Sequence, residues 1–363
     1  MESTHAGYAD LPMWFTRLEN SCLICFEHTE NPHDIEQAIS HLQRAVESAP
    51  SDHANLPDFF NKLGNLYAHH FEHTRNLQDI DHAISYYQRA MDSIPSDHAI
   101  LSFNNLGNSY SIHFHYTQNL QDIEHAISYI QRAVESSPSS HANLPDYFNN
   151  LGNSYSHCFR YTWNLQDLDH AISYTQRAIE STPSSHADLP ACFAILGNSY
   201  SDHFEYTQNL QDIEHAISYI QRAVESTPSG HANLPDYFNI LGNSYGQQFK
   251  CTGNLQDIDH AISYIQRAID STPSGHVRLL DYFNNLGNFY STRFQYTQNF
   301  HDIEQAISHL QRAVESTPFG YANLPRYLNN LVMSYEARFK STYCAISINL
   351  AVTCNGASQI AEM

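Results

Sequence analysis

Asparagines at two recurring positions are the residues of this chain best suited to hold a ligand. Both positions are counted from the glycine of a recurring Leu-Gly-Asn motif, or from the residue in its place. The first column, three residues before the glycine, holds Asn61, Asn104, Asn149, Asn239, Asn284 and Asn329. The second column, one residue after it, holds Asn65, Asn108, Asn153, Asn198, Asn243 and Asn288. Residues four apart share one face of a helix, so we expect the two columns to lie side by side.

A side-chain amide can donate to a carbonyl and accept from an N–H group of an extended peptide, whatever the side chains of that peptide are. Each such hydrogen bond contributes only about 1 kcal/mol, so a row of them is needed for useful affinity. Ala194 and Met333 interrupt the two columns. The alternative is that these asparagines are exposed polar residues that were copied with the repeat. The columns therefore predict a peptide-binding groove without excluding that second interpretation.

The histidines, 24 in number, also fall into columns. One column holds His82, His125, His170, His215 and His260, and another holds His53, His98, His141, His186, His231 and His276. Neighbouring helices lie about 8–10 Å apart, which is too far for one metal ion to bridge a column. We therefore predict no metal site and no cofactor.

Catalytic motifs are missing from the sequence. Cys22 and Cys25 have the spacing of a redox pair, but no strand pattern precedes them, and buried structural thiols are the simpler interpretation. The chain has neither a phosphate-binding Gly-x-x-x-x-Gly-Lys-Ser/Thr loop nor a Gly-x-Ser-x-Gly nucleophile motif. We predict no catalytic residue and a protein that is not an enzyme.

The elements that must position these residues are repeated along the chain. The alanine of a His/Gln-Ala-Ile-Ser motif recurs every 45 residues, except for one interval of 43, at Ala38, Ala83, Ala126, Ala171, Ala216, Ala261 and Ala306. A fixed period of this size, with two elements in each unit, is typical of a solenoid whose units bury their apolar faces only against one another.

Each unit contains two predicted helices. In helix A, Phe148, Leu151, Tyr155 and Phe159 form one apolar stripe at helical spacing. Helix B begins at an asparagine cap such as Asn164, with an aspartate three residues on as in a capping box, and it ends before a proline. Arginines and acidic residues three apart on its outer side, such as Arg177 and Glu180, are expected to pair. The pattern predicts an all-α fold.

The matching residues Leu151, Gly152, Tyr155, Ala171, Ala178 and Pro183 resemble the tetratricopeptide repeat. The resemblance implies a right-handed superhelix of helix-turn-helix units in which helix A lines a concave groove. Helix A and the loop between repeats are both longer than in the usual repeat of that family. This long form is similar to the arrays beside CHAT-type peptidase domains in fungal proteins, and its Asn-Asn-Leu-Gly-Asn block resembles kinesin light chain repeats.

The ends of the chain depart from the repeat. Residues 1–9 are predicted to be an N-terminal tail, and residues 10–340 an array of eight A helices and seven B helices. Residues 341–363 keep an Ala-Ile-Ser motif but lose the asparagine cap and the proline. We interpret them as a degenerate last helix or C-terminal tail, because terminal repeats are usually atypical. They are too short to form a peptidase domain.

The composition narrows the class of partner. The net charge of -21 repels the phosphates of nucleic acid and of anionic membrane surfaces, so a neutral or basic protein or peptide is the expected partner. Lys62 lies one residue from the place where a carboxylate-binding repeat has its lysine, so capture of an acidic C-terminus is not expected. The first residues are not a secretory signal, and no stretch is long and apolar enough to span a membrane, so a cytoplasmic location is predicted.

Three functions remain compatible with the sequence. The first is a non-enzymatic scaffold that binds an extended peptide or protein segment in the groove. The second is a regulatory or sensor array of a CHAT-type protease system that lacks its own peptidase domain. The third is a purely structural array with no specific ligand.

Overall fold

A computed structural model describes residues 11–361, except residues 30, 94–98, 185 and 319, and describes side chains up to residue 343. Every regular element in that part of the chain is an α-helix. The chain divides into two compact units, an N-terminal unit that ends at His186 and a C-terminal unit that begins at Ala187. The predicted all-α repeat solenoid is confirmed.

The N-terminal unit contains four pairs of helices. They are α1 (Leu11–Thr29), α2 (Pro32–Ser48), α3 (Leu56–Thr74), α4 (Leu77–Asp92), α5 (Ile100–Thr117), α6 (Leu120–Ser136), α7 (Leu144–Thr162) and α8 (Leu165–Ser181). The C-terminal unit contains three pairs and a long final helix. They are α9 (Leu189–Thr207), α10 (Leu210–Ser226), α11 (Leu234–Thr252), α12 (Leu255–Asp270), α13 (Arg278–Thr297), α14 (Phe300–Glu315) and α15 (Leu324–Ala361). Odd-numbered helices are the A helices of the repeat and even-numbered helices are the B helices.

Each B helix begins at an asparagine whose side chain accepts a hydrogen bond from the backbone N–H two residues later, as Asn164 does from Gln166 at 3.2 Å. The aspartate three residues after the cap has a different role from the one that a capping box predicts. Asp167 accepts from the hydroxyl of Thr162 at 3.1 Å, and the same threonine oxygen accepts from the Asn164 N–H. The link between the helices of a repeat is thus a Thr-Asn-Asp network, and it recurs in all seven pairs.

Six of the A helices that precede these links, α3, α5, α7, α9, α11 and α13, end at a residue in the left-handed conformation, which closes the last turn. Trp163 has φ of 55° and donates its N–H to the carbonyl of Phe159 at 2.8 Å. Arg75, Gln118, Gln208, Gly253 and Gln298 do the same in their repeats. Only Gly253 adopts this conformation without the steric cost that a β-carbon carries.

The glycine of the Leu-Gly-Asn motif sets how closely the two helices of a repeat approach. A β-carbon on Gly152 would lie 2.3 Å from the hydroxyl of Thr175 and 3.1 Å from the backbone oxygen of Ala171 on α8. The fully buried Ala171 and Ala178 lie on that inner face of α8. The small residues of the repeat therefore allow α7 and α8 to pack closely.

The expected pairing of Arg177 with Glu180 is wrong for the described residues. The guanidinium carbon of Arg177 lies 4.0 Å from the ring centroid of Phe148, so the arginine packs over the aromatic stripe of helix A. The equivalent arginines do the same at 4.0–4.1 Å, namely Arg89, Arg132, Arg222, Arg267 and Arg312. The phenylalanine rings are buried, and a cation over a buried ring contributes more than an exposed ion pair does.

The last helix does not break where the sequence suggested a separate degenerate B helix. Helix α15 continues from Leu324 to Ala361 as one element of 38 residues. Thr342 and Tyr343 correspond to Thr162 and Trp163, but Cys344 stands where the other repeats have the capping asparagine. A cysteine does not supply the side-chain oxygen that starts helix B elsewhere, so the chain has no local signal to turn.

Candidate functional site

Three asparagines of the second column line one cavity of the C-terminal unit. The cavity has a volume of about 650 Å³ and its wall contains Asn198, Asn243 and Asn288, from α9, α11 and α13. All three are half-buried, and among the described residues none of their side-chain amides has a hydrogen-bond partner. These amides are therefore able to bind a ligand without breaking an existing contact.

The second column is less uniform in the N-terminal unit. Asn65 is exposed, but its side-chain oxygen accepts from the hydroxyl of Tyr87 at 2.7 Å and from the amide of Asn105 at 3.3 Å. Asn108 and Asn153 are half-buried and have no side-chain partner among the described residues. Asn65 thus fixes neighbouring repeats in place, whereas the other two resemble the three asparagines of the C-terminal cavity.

The first column makes hydrogen bonds between adjacent A helices. The side-chain oxygens of Asn104, Asn239 and Asn284 accept from asparagine amides of the next repeat at 3.1, 3.0 and 2.8 Å. The donors form a third column, two residues before the glycine, that contains Asn105, Asn150, Asn285 and Asn330. Asn104 and Asn284 are buried, with 8% and 1% of their surface exposed. These members of the first column therefore hold repeats together.

The remaining members of the first column are each in a different environment. Asn61 accepts a hydrogen bond from the hydroxyl of Ser102 at 2.9 Å. The side-chain oxygen of Asn149 is buried and has no partner among the described residues. Asn329, on the last A helix, is exposed. The column as a whole is thus not a continuous surface of available amides.

Sequence reasoning did not separate the two roles, although a signal was present. The repeat has two consecutive asparagines before its leucine in α5, α7, α13 and α15, as in Asn149-Asn150. Adjacent residues of a helix point in directions about 100° apart, so both cannot face the same groove. One of the two had to point toward a neighbouring helix.

A column of histidines that the sequence reasoning missed connects helices through carboxylates. His113 contacts Asp122 of its own repeat at 2.8 Å through Nδ1 and Asp81 of the preceding repeat at 3.4 Å through Nε2. His70 and His203 have the same close contact with Asp79 and Asp212, at 2.9 and 2.8 Å. In α13 the position is Arg293, which bonds both Asp302 and Asp259 at 2.6 Å. This column contributes to the joints between repeats.

The two histidine columns seen in the sequence make structural contacts. Those of the B helices pack against tyrosine rings, as His82 does against Tyr67 with centroids 4.8 Å apart. Four of the loop histidines, His53, His141, His231 and His276, accept a backbone N–H two residues later, at 3.2–3.3 Å, whereas His98 lies outside the described residues. Among the described residues, no group of three histidine, cysteine, aspartate or glutamate side chains is arranged to hold a metal ion.

Two of the charged side chains that line the C-terminal cavity, Glu205 and Arg326, have polar partners. Glu205 accepts a hydrogen bond from the amide of Gln247, and Arg326 forms an ion pair with Asp281 at 2.7 Å. Lys250 also lines the cavity and is exposed at the end of α11. The cavity therefore contains both signs of charge beside its amides.

Lys62, which lies one residue from the lysine position of carboxylate-binding repeats, is paired with a buried glutamate. Lys62 Nζ lies 3.6 Å from the carboxylate of Glu19, which is only 2% exposed. Burial raises the pKa of Glu19, and the nearby ammonium group partly opposes that effect. Both residues, with Asn65, line a cavity of about 490 Å³ in the N-terminal unit.

Cys22 and Cys158 do not have the lowered pKa of an activated thiol. Burial raises the pKa of Cys22, and burial together with Asp167 raises the pKa of Cys158 to about 11. A thiol is reactive as its thiolate, so these shifts reduce reactivity. The interpretation of Cys22 and Cys25 as buried thiols is only partly correct, because Cys22 is half-buried and Cys25 is exposed.

Comparison with known proteins identifies related repeats and folds. The Sel1 repeat family matches residues 32–49, 61–93, 104–137, 242–272 and 284–317. The solved structure of PilF from Pseudomonas aeruginosa is 16% identical, covers 79% of this chain and 99% of its own, and has a TM-score of 0.50. The structure of PilW, described as a widely conserved type IV pilus biogenesis factor, is 15% identical, covers 77% and 100%, and has a TM-score of 0.51. Among curated proteins, none matches this chain significantly.

The repeat matches and the shared fold support a TPR-like repeat protein. Neither bears on the similarity to CHAT-associated arrays or to kinesin light chain repeats, which stays a prediction. In the part of the chain that the structure describes, no helix combines the length and the apolar character needed to cross a bilayer.

Proposed function

We propose that this protein is a non-enzymatic scaffold that binds an extended, neutral or basic peptide segment across its A helices. The observation that supports the proposal is the contrast between the two asparagine columns. Asn243 and Asn288 line a cavity with unengaged amides, whereas Asn239 and Asn284 are engaged between repeats. The second column is therefore the one that we assign to ligand binding.

The spacing of these asparagines suits a peptide main chain. An extended chain presents a carbonyl and an N–H at every residue, and each amide of the column can bond either group or both. Asn198 extends the row to three amides in the C-terminal cavity. Three such side chains with two bonds each contribute only a few kcal/mol, so we expect weak binding from the amides alone, on the order of millimolar to micromolar.

The charge of the chain favours the stated class of partner. The net charge of -21 attracts basic segments over distances of about a Debye length and repels acidic ones. Binding should therefore weaken as salt is raised if the segment is basic, and should be insensitive to salt if it is neutral.

The test uses the full chain and a display library of octapeptides. Peptides enriched on the wild-type protein are titrated against the Asn243→Ala/Asn288→Ala variant, with Asn143→Ala as the control because Asn143 is exposed in the loop before α7. We expect the double variant to lose at least tenfold in affinity at an unchanged melting temperature, and the control to bind as the wild type does. Failure of the wild type to enrich any peptide, or equal affinity in all three proteins, would leave a purely structural array as the better interpretation.

A further inference from the structure

Serine pairs connect adjacent A helices at three joints of the array. The serine four residues after the glycine faces the serine two residues after the glycine in the next repeat. Ser111 and Ser154 have hydroxyls 3.0 Å apart, and the pairs Ser201–Ser244 and Ser291–Ser334 have them 3.3 Å apart. Small side chains at this joint allow the A helices to lie close together.

The joint between α11 and α13 has two matched substitutions at these positions. Between α11 and α13 the pair is Gly246 and Phe289. A β-carbon added to Gly246 would lie 2.3 Å from Cε1 of Phe289, so the aromatic ring occupies the space that a serine side chain takes in the three serine joints. Phe289 requires a glycine opposite it, and the chain supplies one.

The ring lies in the wall of the C-terminal cavity beside two other apolar replacements. Ile240 stands where the third column has an asparagine, and Met333 stands where the second column has one. All three line the cavity that contains Asn243 and Asn288. Phe289 and Ile240 are half-buried, and Met333 is 56% exposed, so each side chain retains surface that a ligand can cover.

We propose that Ile240, Phe289 and Met333 form a subsite for one aliphatic or aromatic side chain of the bound segment. This inference rests on the proposed function, because the amides of Asn243 and Asn288 would hold the main chain of the same segment. Aromatic and thioether side chains make adaptable apolar contacts, which suits a pocket for a single apolar side chain. The subsite sets sequence preference at one position, whereas the amides are indifferent to side chains.

The test restores the regular serine joint in place of the aromatic one. The Gly246→Ser/Phe289→Ser double variant copies the pair Ser201–Ser244, so α11 and α13 have a known way to pack. The probe is a set of octapeptides, acetylated and amidated at their ends, that carry Leu, Phe, Ser or Lys at each position in turn. Phe289→Leu serves as the second variant, since it keeps an apolar side chain beside Gly246.

We expect the wild type to prefer Leu or Phe over Ser and Lys at one peptide position by roughly 10- to 100-fold. The double variant should lose that preference at an unchanged helical content, and Phe289→Leu should keep it for Leu. If peptides bind through Asn243 and Asn288 with no apolar preference, or with the same preference in the double variant, this inference fails and the proposed function stands. If the wild type binds no peptide, both fail.

Discussion

At the scale of single residues, the same amide group has different roles that depend only on its place on helix A. Asn285 donates its amide to the half-buried side chain of Asn239 at 3.0 Å, whereas Asn288, three residues later, has no side-chain partner among the described residues. A buried polar group that loses its partner costs more than the bond itself contributes. Residue type alone therefore does not indicate whether an asparagine of this array stabilises the fold or is able to bind a ligand.

Asn285→Ala should lower the free energy of unfolding by about 1–2 kcal/mol, because it leaves the oxygen of Asn239 without its donor. Asn288→Ala should change it by less than about 0.5 kcal/mol, as expected for a half-exposed residue with no contacts to lose. Urea unfolding followed by circular dichroism measures both. Equal losses in the two variants would contradict the assignment of the columns.

Folding stability should depend on pH through His157. Its pKa is lowered from 6.5 to about 4, first because the ring is buried and then because Arg160 and His115 lie nearby. Between pH 6.5 and about pH 4, the unfolded chain binds a proton at this residue that the folded chain does not. The free energy of unfolding therefore falls as pH decreases. From pH 7 to pH 5 this residue alone should cost about 2 kcal/mol.

The matched variant is His157→Gln, because Gln247 occupies the equivalent position on α11. Urea unfolding at pH 7 and pH 5 should show a smaller loss in the variant than in the wild type, by about 2 kcal/mol. The same loss in both proteins would show that the ring titrates normally in the folded chain.

Residue roles were predictable from the sequence only where they are local. The asparagine caps were predictable because the capping side chain and the backbone N–H that it binds lie only two residues apart in the sequence. The partners of His113 and of Asn104 were not, since they belong to a neighbouring helix or repeat, as the 46 residues between Asn104 and Asn150 illustrate. Pairs of that kind become visible only when the stacking of the repeats is known.

At the scale of helices, the glycine of the Leu-Gly-Asn motif determines the approach of the two helices in a repeat. In α9 a β-carbon on Gly197 would lie 2.4 Å from Cδ1 of Ile220 and 3.1 Å from the backbone oxygen of Ala216. The isoleucine can adjust its side chain, but the backbone oxygen cannot move without shifting α10. The whole contact between α9 and α10 therefore depends on one missing methyl group.

Gly197→Ala should destabilise the protein by about 1–3 kcal/mol through this overpacking, despite the better helix propensity of alanine. Ile220→Ala removes one of the two obstacles, so the double variant should lose less stability than the sum of the single losses. Thermal or urea unfolding of the four proteins completes the cycle. Additive losses would mean that the two residues do not compete for space.

The helices themselves were predictable because each carries its own start and stop signals. The continuation of α15 differs from the sequence prediction, because the Ala-Ile-Ser motif at residues 345–347 predicts another B helix. The motif describes the buried face of a B helix and contains no signal that begins one. The signal that is missing is the capping asparagine, because Cys344 stands in its place.

At the scale of the whole molecule, stability should be close to a sum over repeats and their joints. Within each of the two compact units, A helices pack against the B helix of their own repeat and, after the first, against the preceding B helix, and the same bonded pairs recur at successive joints. Removing one complete repeat, an A helix with its B helix, therefore leaves the usual residues to face each other where the flanking repeats meet. Removing half a repeat leaves a B helix without its A helix.

Deletion of residues 142–186 removes α7 and α8 and joins His141 to Ala187, which restores the usual loop sequence. The shortened chain should unfold cooperatively. Its free energy of unfolding should depend less steeply on urea concentration, because less surface is exposed on unfolding. Deletion of residues 142–163 removes α7 alone and should broaden the transition, since the apolar face of α8 loses its cover. Similar transitions in both deletions would argue against the nearest-neighbour description.

Two B helices of this array are interchangeable in sequence. Helices α6 and α10 have the same seventeen residues, so α5 has no chemical means of telling one from the other. The native choice is made by tethering, because two residues join α5 to α6, whereas residues 118–209 separate α5 from α10. Bringing α10 to α5 across the longer segment costs roughly 3 kcal/mol more free energy, from lost chain entropy, than closing the two-residue link to α6. Correct pairing of α5 with α6 thus depends on the two-residue linker Gln118-Asn119. If that linker were cleaved, α5 would have no preference for α6 over α10.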